Sequence, residues 1–437
     1  ISNRDKEQTG YFVADESTLD TSVTDDSYSI TNVDTDYFSQ RIVHDNFIFG
    51  NLGRFTLGFD IQESSYENKV SQGETFAFGN FVNASQDMRA LYMQNSINIM
   101  DSSSILSFGI RTEKADYSVS ETVDNSIAKY AVLDWQENLS KVARDDYKTS
   151  MSNIARNIGI EHILNKNTTL SYKYAKAFRT PDLDARNSTA SIANGGAGDF
   201  ILKDQISEEH EVGINYKNQK LNFNASFYEM DSENEIRYIP PDELNTNTDP
   251  IRRKGIDIDF NYVAKKDLDL RGSFSYIDAV FKSGLLTMGS FNSTYSATGE
   301  TGLARLSPNR ITSEGLYNIS GLKVPLVSKY DYNIGLDYKL KDNLDMSMDM
   351  SFVDDRFVSG DQENIEPVIP SYYLFDLKFS SDMTKHKWSF GINNILNTSY
   401  YDFAISSSQH SEGNFASYGR QSVYPLMRRN LSLDYSY

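Results

Sequence analysis

Cysteine is absent from the 437 residues, which removes disulfide scaffolds, thiol nucleophiles and cysteine-type zinc sites together. A chain without thiols suits passage through an oxidising periplasm. Long apolar runs are missing too. No stretch approaches the roughly 18 consecutive apolar residues of a spanning helix, so any crossing of a bilayer has to be made by strands. Basic residues are in deficit, with 42 Lys and Arg against 61 Asp and Glu and a formal net charge of -19. This argues against a nucleic-acid partner, whose phosphates need concentrated positive charge. No basic, apolar leader precedes Ile1, and the start is read as cut or mature.

Catalytic constellations are also lacking. His44, His162, His210, His386 and His410 are scattered, without H-E-x-x-H or a pair at ligand spacing. The glycine-rich run Asn194 to Gly198 opens no helix after a strand and reads as a loop tip. The expectation is a protein that is not an enzyme and carries no cofactor.

Aromatic residues are abundant: 28 Tyr and 25 Phe sit in a chain of mean hydropathy -0.51. They fall into two-residue alternation. Tyr330, Tyr332, Ile334, Leu336, Tyr338 and Leu340 share one face, with Asp331, Asn333, Gly335, Asp337, Lys339 and Lys341 on the other. After a short polar link the pattern resumes as Leu344, Met346, Met348, Met350 and Phe352, which predicts a hairpin. It recurs in Phe55 to Ile61, Leu170 to Tyr174, Val212 to Tyr216, Leu221 to Phe227, Ile256 to Tyr262, Leu268 to Tyr276 and Tyr373 to Phe379.

A soluble sandwich also alternates, so the connections carry the distinction. Short polar links near 50 to 53, 101 to 104, 165 to 167, 217 to 220, 265 to 267, 341 to 343 and 382 to 386 alternate with long polar stretches. The long ones run roughly 68 to 86, 119 to 146, 180 to 204, 238 to 250, 284 to 327, 359 to 369 and 403 to 422. Short turns on one side and long loops on the other are the habit of outer-membrane barrels. About fifteen strands are read. A strand over 28 to 49 running inward requires an outward partner before it, for which only 10 to 14 offers a short match. The fold expected is all-β: an antiparallel transmembrane β-barrel occupying residues 1–437 as a single, N-terminally truncated domain.

Several short elements carry a family resemblance. Ala177-Phe178-Arg179-Thr180-Pro181 resembles the F-R-A-P box of TonB-dependent receptors. Ile201-Leu202-Lys203 with Glu211-Val212-Gly213, and Lys254-Gly255-Ile256-Asp257, resemble that family's N-P-x-L-K-P-E, Y-E-x-G and K-G-x-E elements, the Asn-Pro being lost. Gly391 to Tyr401 is similar to its G-x-x-N-L-F-D-x-x-Y-Y element. The last strand, Leu431, Leu433, Tyr435 and Tyr437, looks like the terminal barrel-assembly strand, with Tyr where most members have Phe. Order and spacing over residues 170 to 437 make the match.

This resemblance implies a 22-stranded barrel of which 15–16 strands are present, with the plug and the TonB-contacting segment absent. It also implies the cell outer membrane, uptake of a scarce solute, and the TonB complex as partner through the missing N-terminal part. A ferric siderophore complex is the first expectation for cargo, with cobalamin, haem or glycans as others. Haem is demoted because no His lies between Asp182 and Ile201. For an anionic iron chelate, Arg179, Arg186, Arg237, Tyr238, Arg252 and Arg253 are the candidate contacts, Arg pairing bidentately with carboxylate or catecholate oxygens. Membrane lipid and lipopolysaccharide are the other expected neighbours of a monomer. A passive porin of 16 to 18 strands is the competing reading, and a soluble propeller the third, without W-D or kelch signatures.

Overall fold

The computed structural model describes residues 2–12, 27–48, 51–72, 78–100, 102–123, 147–186, 202–239, 244–287, 307–383, 386–406 and 421–436. Sixteen of its strands form one antiparallel sheet. The first nine are β1 (Ser2–Phe12), β2 (Ser27–Ile48), β3 (Asn51–Gln72), β4 (Phe78–Ile99), β5 (Ser104–Val123), β6 (Tyr147–Asn165), β7 (Thr168–Arg179), β8 (Gln205–Lys217) and β9 (Leu221–Glu233). A small hairpin, β10 (Ile236–Ile239) with β11 (Leu244–Asn247), intervenes before β12 (Ile251–Lys265) and β13 (Leu268–Phe281). A second, β14 (Leu285–Thr287) with β15 (Leu316–Asn318), precedes β16 (Tyr330–Lys341), β17 (Leu344–Val353), β18 (Tyr372–Met383) and β19 (His386–Asn393). A third, β20 (Tyr401–Ser406) with β21 (Gln421–Pro425), leads to β22 (Asn430–Ser436). Each strand of the large sheet pairs with the next in chain order, and no ladder joins β1 to β22 among the described residues.

All seven predicted short links are present, and each joins neighbouring strands through two to four residues. The small hairpins all lie in long connections, which leave from the opposite edge. β1 pairs with β2 along its whole length, from Ser2 opposite Tyr37 to Phe12 opposite Ser27. The outward partner therefore exists, earlier than the match read at 10 to 14. Two long stretches are shorter than expected. β3 continues to Gln72, β4 starts at Phe78 and β5 reaches Val123, so 68 to 86 is mostly strand. Its polar content suggested a loop, yet Val82 and Ala84 there share one face with Tyr66, Tyr117 and Val119 of the neighbouring strands and are buried with them.

The register aligns apolar side chains into rows across many strands. Tyr172 lies opposite Val212, Val212 opposite Phe227, Phe227 opposite Ile256, Ile256 opposite Tyr276 and Tyr276 opposite Tyr330. Such residues are well exposed: Val212 by 54% and Phe227 by 50%. On a soluble protein a patch this continuous would be an aggregation liability; on a spanning sheet it is the surface that meets hydrocarbon. Rings stack along it, as in Tyr332–Phe352 with centroids 4.8 Å apart and Phe352–Tyr373 at 4.6 Å.

The opposite face is polar. Arg271 bridges Asp337 and Asp349 from neighbouring strands, Asn215 donates to Asn224, and Ser275 donates to Asp257 at 2.6 Å. At the edge with the long connections, small apolar clusters pack the links. Ile251, Ala279, Phe281, Tyr317, Ile319 and Val324 form one, and Val358, Ile369 and Ala404 another.

Candidate functional site

Where β7 ends, the chain turns onto the polar face. Alternation puts Arg179 on the same side as Ala177, out of phase with Leu170 and Tyr172, so it shares the polar face. Thr180 and Pro181 then lead into one helical turn, α1 (Leu183–Arg186), whose Ala185 N–H donates to the Asp182 carboxylate at 2.7 Å. Leu183 is only 3% exposed and is seated among Tyr66, Val82, Ala84, Tyr117 and Val119. These belong to β3, β4 and β5, so the segment reaches across β5 and β6. Two polar contacts fix it. The Gln86 amide donates to the Pro181 carbonyl at 3.2 Å, and the Thr180 hydroxyl donates to Glu113 at 3.5 Å.

Beneath this segment lies a cavity of about 350 Å³, within the usual range for small-molecule sites. Its strand wall is Gln62, Gln86, Met88, Arg111, Glu113 and Ala155, the end of β7 adds Ala177 and Phe178, and the turned segment supplies Thr180 and Asp182. Arg111 donates from Nη1 to Asp60, and from Nε and Nη2 to Glu113 at 3.2 and 2.9 Å. Ser39 donates to the other Asp60 oxygen at 2.7 Å. None of these strand-wall residues was singled out from sequence. β3 to β5 lie upstream of every recognisable motif, and only the burial of one face of their polar ends marks the place.

A second charged cluster gathers two of the predicted residues where β9, β10 and β12 meet. Glu235 is 8% exposed and receives Arg253 Nη2 at 2.9 Å, Arg237 Nη2 at 3.1 Å and the Ser232 hydroxyl at 2.6 Å, with Arg253 Nη1 on its second oxygen. Burial alone would raise this carboxyl; the Arg253 hydrogen bonds and charge, helped by Ser232 and Arg237, outweigh it and hold it at about 2. Arg252 has the parity of Ile256 and lies on the other face, in a bidentate pair with Asp231 at 2.8 and 3.0 Å and 3.3 Å from Glu229. The structure thus brings Arg237 and Arg253 onto one carboxylate, turns Arg252 away, and leaves Arg179 apart. For Arg186 and Tyr238 the backbone positions are in α1 and β10, and their side chains lie outside the described residues.

The motif residues have structural partners. Asn247 binds both the N–H and the carbonyl of Lys203, at 2.7 and 3.0 Å, anchoring the Leu202-Lys203 element on β11. Gly255 lies opposite Tyr228, and an added Cβ would fall 2.2 Å from the tyrosine ring, so the ring covers the strand only where a side chain is missing. Asn394 and Asn397 adopt φ of 52° and 58°, and the Asn394 side chain closes a loop on the N–H and carbonyl of Thr398, both at 2.8 Å. Leu431, Leu433 and Tyr435 stand on the apolar parity of β22 opposite Ile392, Phe390 and Trp388, while Tyr437 and the run Asn194 to Gly198 fall outside the described residues.

Among the described residues no group of three or more His, Asp or Glu is placed to hold a metal ion. Three of the histidines there engage hydroxyls: His162 with Ser104 at 2.8 Å, His210 with Tyr172 at 2.9 Å and His386 with Tyr435 at 2.7 Å. No helix among them is long and apolar enough to cross a membrane.

The backbone is similar to solved structures of low sequence identity, a likeness that speaks to fold. The ferric citrate transporter FecA in the unliganded form superposes with a TM-score of 0.69 at 13% identity, over 99% of this chain and 57% of that one. The copper transporter OprC gives 0.68 at 13%, over 100% and 61%. The ferric-catecholate import receptor Fiu from K12 E. coli, in its closed form, gives 0.59 at 14%, over 99% and 59%. The chain spans about 57 to 61% of the length of these three structures. A comparison with curated proteins finds no match. A family model described as TonB dependent receptor-like, beta-barrel matches residues 2–395. The chain therefore belongs to the TonB-dependent receptor β-barrel family, a family of transport receptors located in the outer membrane.

Proposed function

We propose that this chain is the barrel part, as one domain over 1–437, of a receptor that takes up a scarce solute across the outer membrane in dependence on the TonB complex. A ferric siderophore complex is the cargo proposed first. The observation that carries the reading is the polar inner face, with its cavity completed by a segment that turns inward from the edge bearing the long connections. Cargo capture at such a site is binding without covalent chemistry, which fits a wall of amides, hydroxyls and paired charges. Solved relatives of the fold are named for ferric citrate, ferric catecholate and copper, so metal chelates are the class to test.

Among the residues expected to meet cargo, Arg179 is the proposal that stands best, being exposed on the inner face. Arg237 and Arg253 are assigned to holding the β9–β12 link through Glu235. Arg252, on the lipid-facing parity beside Lys254, is assigned to the headgroup region, lipopolysaccharide included. The last strand, with Leu431, Leu433, Tyr435 and Tyr437, is proposed as the assembly strand of a monomer.

The test is uptake of radiolabelled iron, supplied as ferric citrate, a ferric trihydroxamate or a ferric catecholate, by cells carrying or lacking the gene. Uptake that needs both the gene and an intact TonB complex is the expected result. Copper and cobalamin serve as the other cargo arms. Swelling of liposomes containing the intact gene product, without TonB, would overturn the reading in favour of a passive porin.

A further inference from the structure

The connection between β17 and β18 fastens two other connections together at the edge that bears the long links. The Leu326 N–H donates to the Phe357 carbonyl at 2.9 Å, and Asn364 meets both the N–H and the carbonyl of Lys323, at 2.7 and 3.0 Å. On the other side the Ser359 N–H donates to the Ala404 carbonyl at 2.9 Å, and the Arg356 guanidinium donates to the Asp402 carbonyl. Val358, Ile369 and Ala404 are buried together at this junction, with Leu326 and Tyr401 packed against them. Stretches 319–327, 354–369 and 401–405, from three different connections, are thereby joined.

A carboxylate stands inside the joint, outside the spanning strands. Asp361 is 1% exposed, and its two oxygens accept the N–H groups of Ile365 at 2.9 Å and Glu366 at 3.1 Å. These bonds shape the turn that carries Asn364. The same turn brings in a second carboxylate, Glu366, itself 7% exposed. The cations of the joined stretches are engaged elsewhere, Lys323 with Asp278 and Arg356 with the carbonyls of Asp354 and Asp402. Asp354, Asp355, Glu363 and Asp402 are the other acids there, and Tyr401 the phenol. Among the described residues no cation pairs with Asp361. Two buried carboxylates close together, without a cation for the inner one, favour a proton on that one. Burial above all, with the Glu366 charge, outweighs the backbone N–H groups and raises the Asp361 carboxyl to about 7.

We propose that the β17–β18 connection is a proton-responsive clasp: with Asp361 protonated the three outer connections pack as one body, and with Asp361 ionised the loop releases the other two. The stability this carboxyl lends the closed clasp is fully present below its ordinary value of 3.8 and is lost as the pH rises through about 7. The clasp therefore tightens in mildly acidic surroundings and opens in alkaline ones. It rests on the outer connections alone and is independent of which cargo the receptor takes.

The test is hydrogen exchange of the full receptor in detergent, read between about pH 5 and pH 8 and corrected for intrinsic rates. Protection at the amides of Lys323, Leu326 and Ser359, which bond across the joint, falls at least about tenfold over this range, while that of β12 and β13 stays level. In Asp361→Asn, which cannot ionise, the fall disappears. Glu366→Gln keeps the fall and moves its midpoint to lower pH. Level protection in the wild type, protection that rises with pH, a fall shared by β12 and β13, or one that survives unchanged in Asp361→Asn overturns the inference. Where Asp361→Asn leaves these amides open at every pH, Glu366→Gln decides: a lowered midpoint upholds the clasp, and an unmoved or absent one overturns it.

Discussion

Glu235 shows how single side chains organise the rim of this sheet. A buried carboxylate without partners would protonate or unfold its surroundings, and here two guanidiniums and a hydroxyl keep it ionised. Its folded value of about 2 lies below the ordinary 4.5. The stability it contributes is therefore fully present above pH 4.5 and is lost as the pH falls through that window toward 2. The shift corresponds to about 3 kcal/mol. Hydrogen exchange at 233–239, corrected for intrinsic rates, is expected to speed up between about pH 5 and pH 3 in the wild type. In Glu235→Gln that pH dependence disappears. The Arg237 and Arg253 positions were visible as cations in the sequence; their shared carboxylate was not, because Glu235, two residues from Arg237, becomes the neighbour of Arg253 only when β12 pairs with β9.

At the scale of elements, the segment after β7 is an inward strap, and Leu183 is its anchor. The box Ala177 to Pro181 was readable as the end of a strand, ahead of the long polar stretch from 180 to 204. That the chain then turns onto β3, β4 and β5 was not readable, since Leu183 is one apolar residue in a polar stretch. Its burial depends on Tyr66, Val82, Ala84, Tyr117 and Val119 from three strands distant in sequence. Leu183→Asp would place an unpaired charge in this cluster, a change among the few that cost more than about 3 kcal/mol locally. The expected outcome is trypsin cleavage after Arg179 and Arg186 in the folded protein while the sheet stays intact. An unchanged cleavage pattern would show that the anchor lies elsewhere. The same cluster explains why β3 and β4 run on through residues assigned to a loop: polar residues on the outer face hid a buried inner face.

For the whole molecule, the two faces of the sheet answer to two solvents. The rows through Tyr172, Val212, Phe227 and Ile256 meet lipid, whereas Asn215, Asn224 and Ser226 on neighbouring registers meet the interior. Val212→Arg is expected to cost roughly 2 to 4 kcal/mol if it lies near the midplane. It is checked by urea titration in lipid vesicles and by the mobility of unboiled samples on SDS gels. Asn215→Arg, three positions further on and facing the other way, serves as the control and is expected to cost no more than about 1 kcal/mol, the loss of its hydrogen bond to Asn224.

The amino-acid order by itself determined the strands, their alternate links and the outward face, because a period of two and a run of turn residues are local properties that any stretch displays without its neighbours. It also carried the family through short elements such as Asn393-Asn394, whose left-handed turn and Thr398 contacts are local as well. The cavity, the pairing of Arg111 with Asp60 and Glu113, the neutralised cations at Glu235 and the docking of Leu183 were decided only by tertiary structure. Each needs at least one partner distant in sequence, Asp60 for Arg111, Arg253 for Glu235 and three strands for Leu183, and the distance between such residues is set by register and by the inward turn of one connection, quantities that no single segment contains.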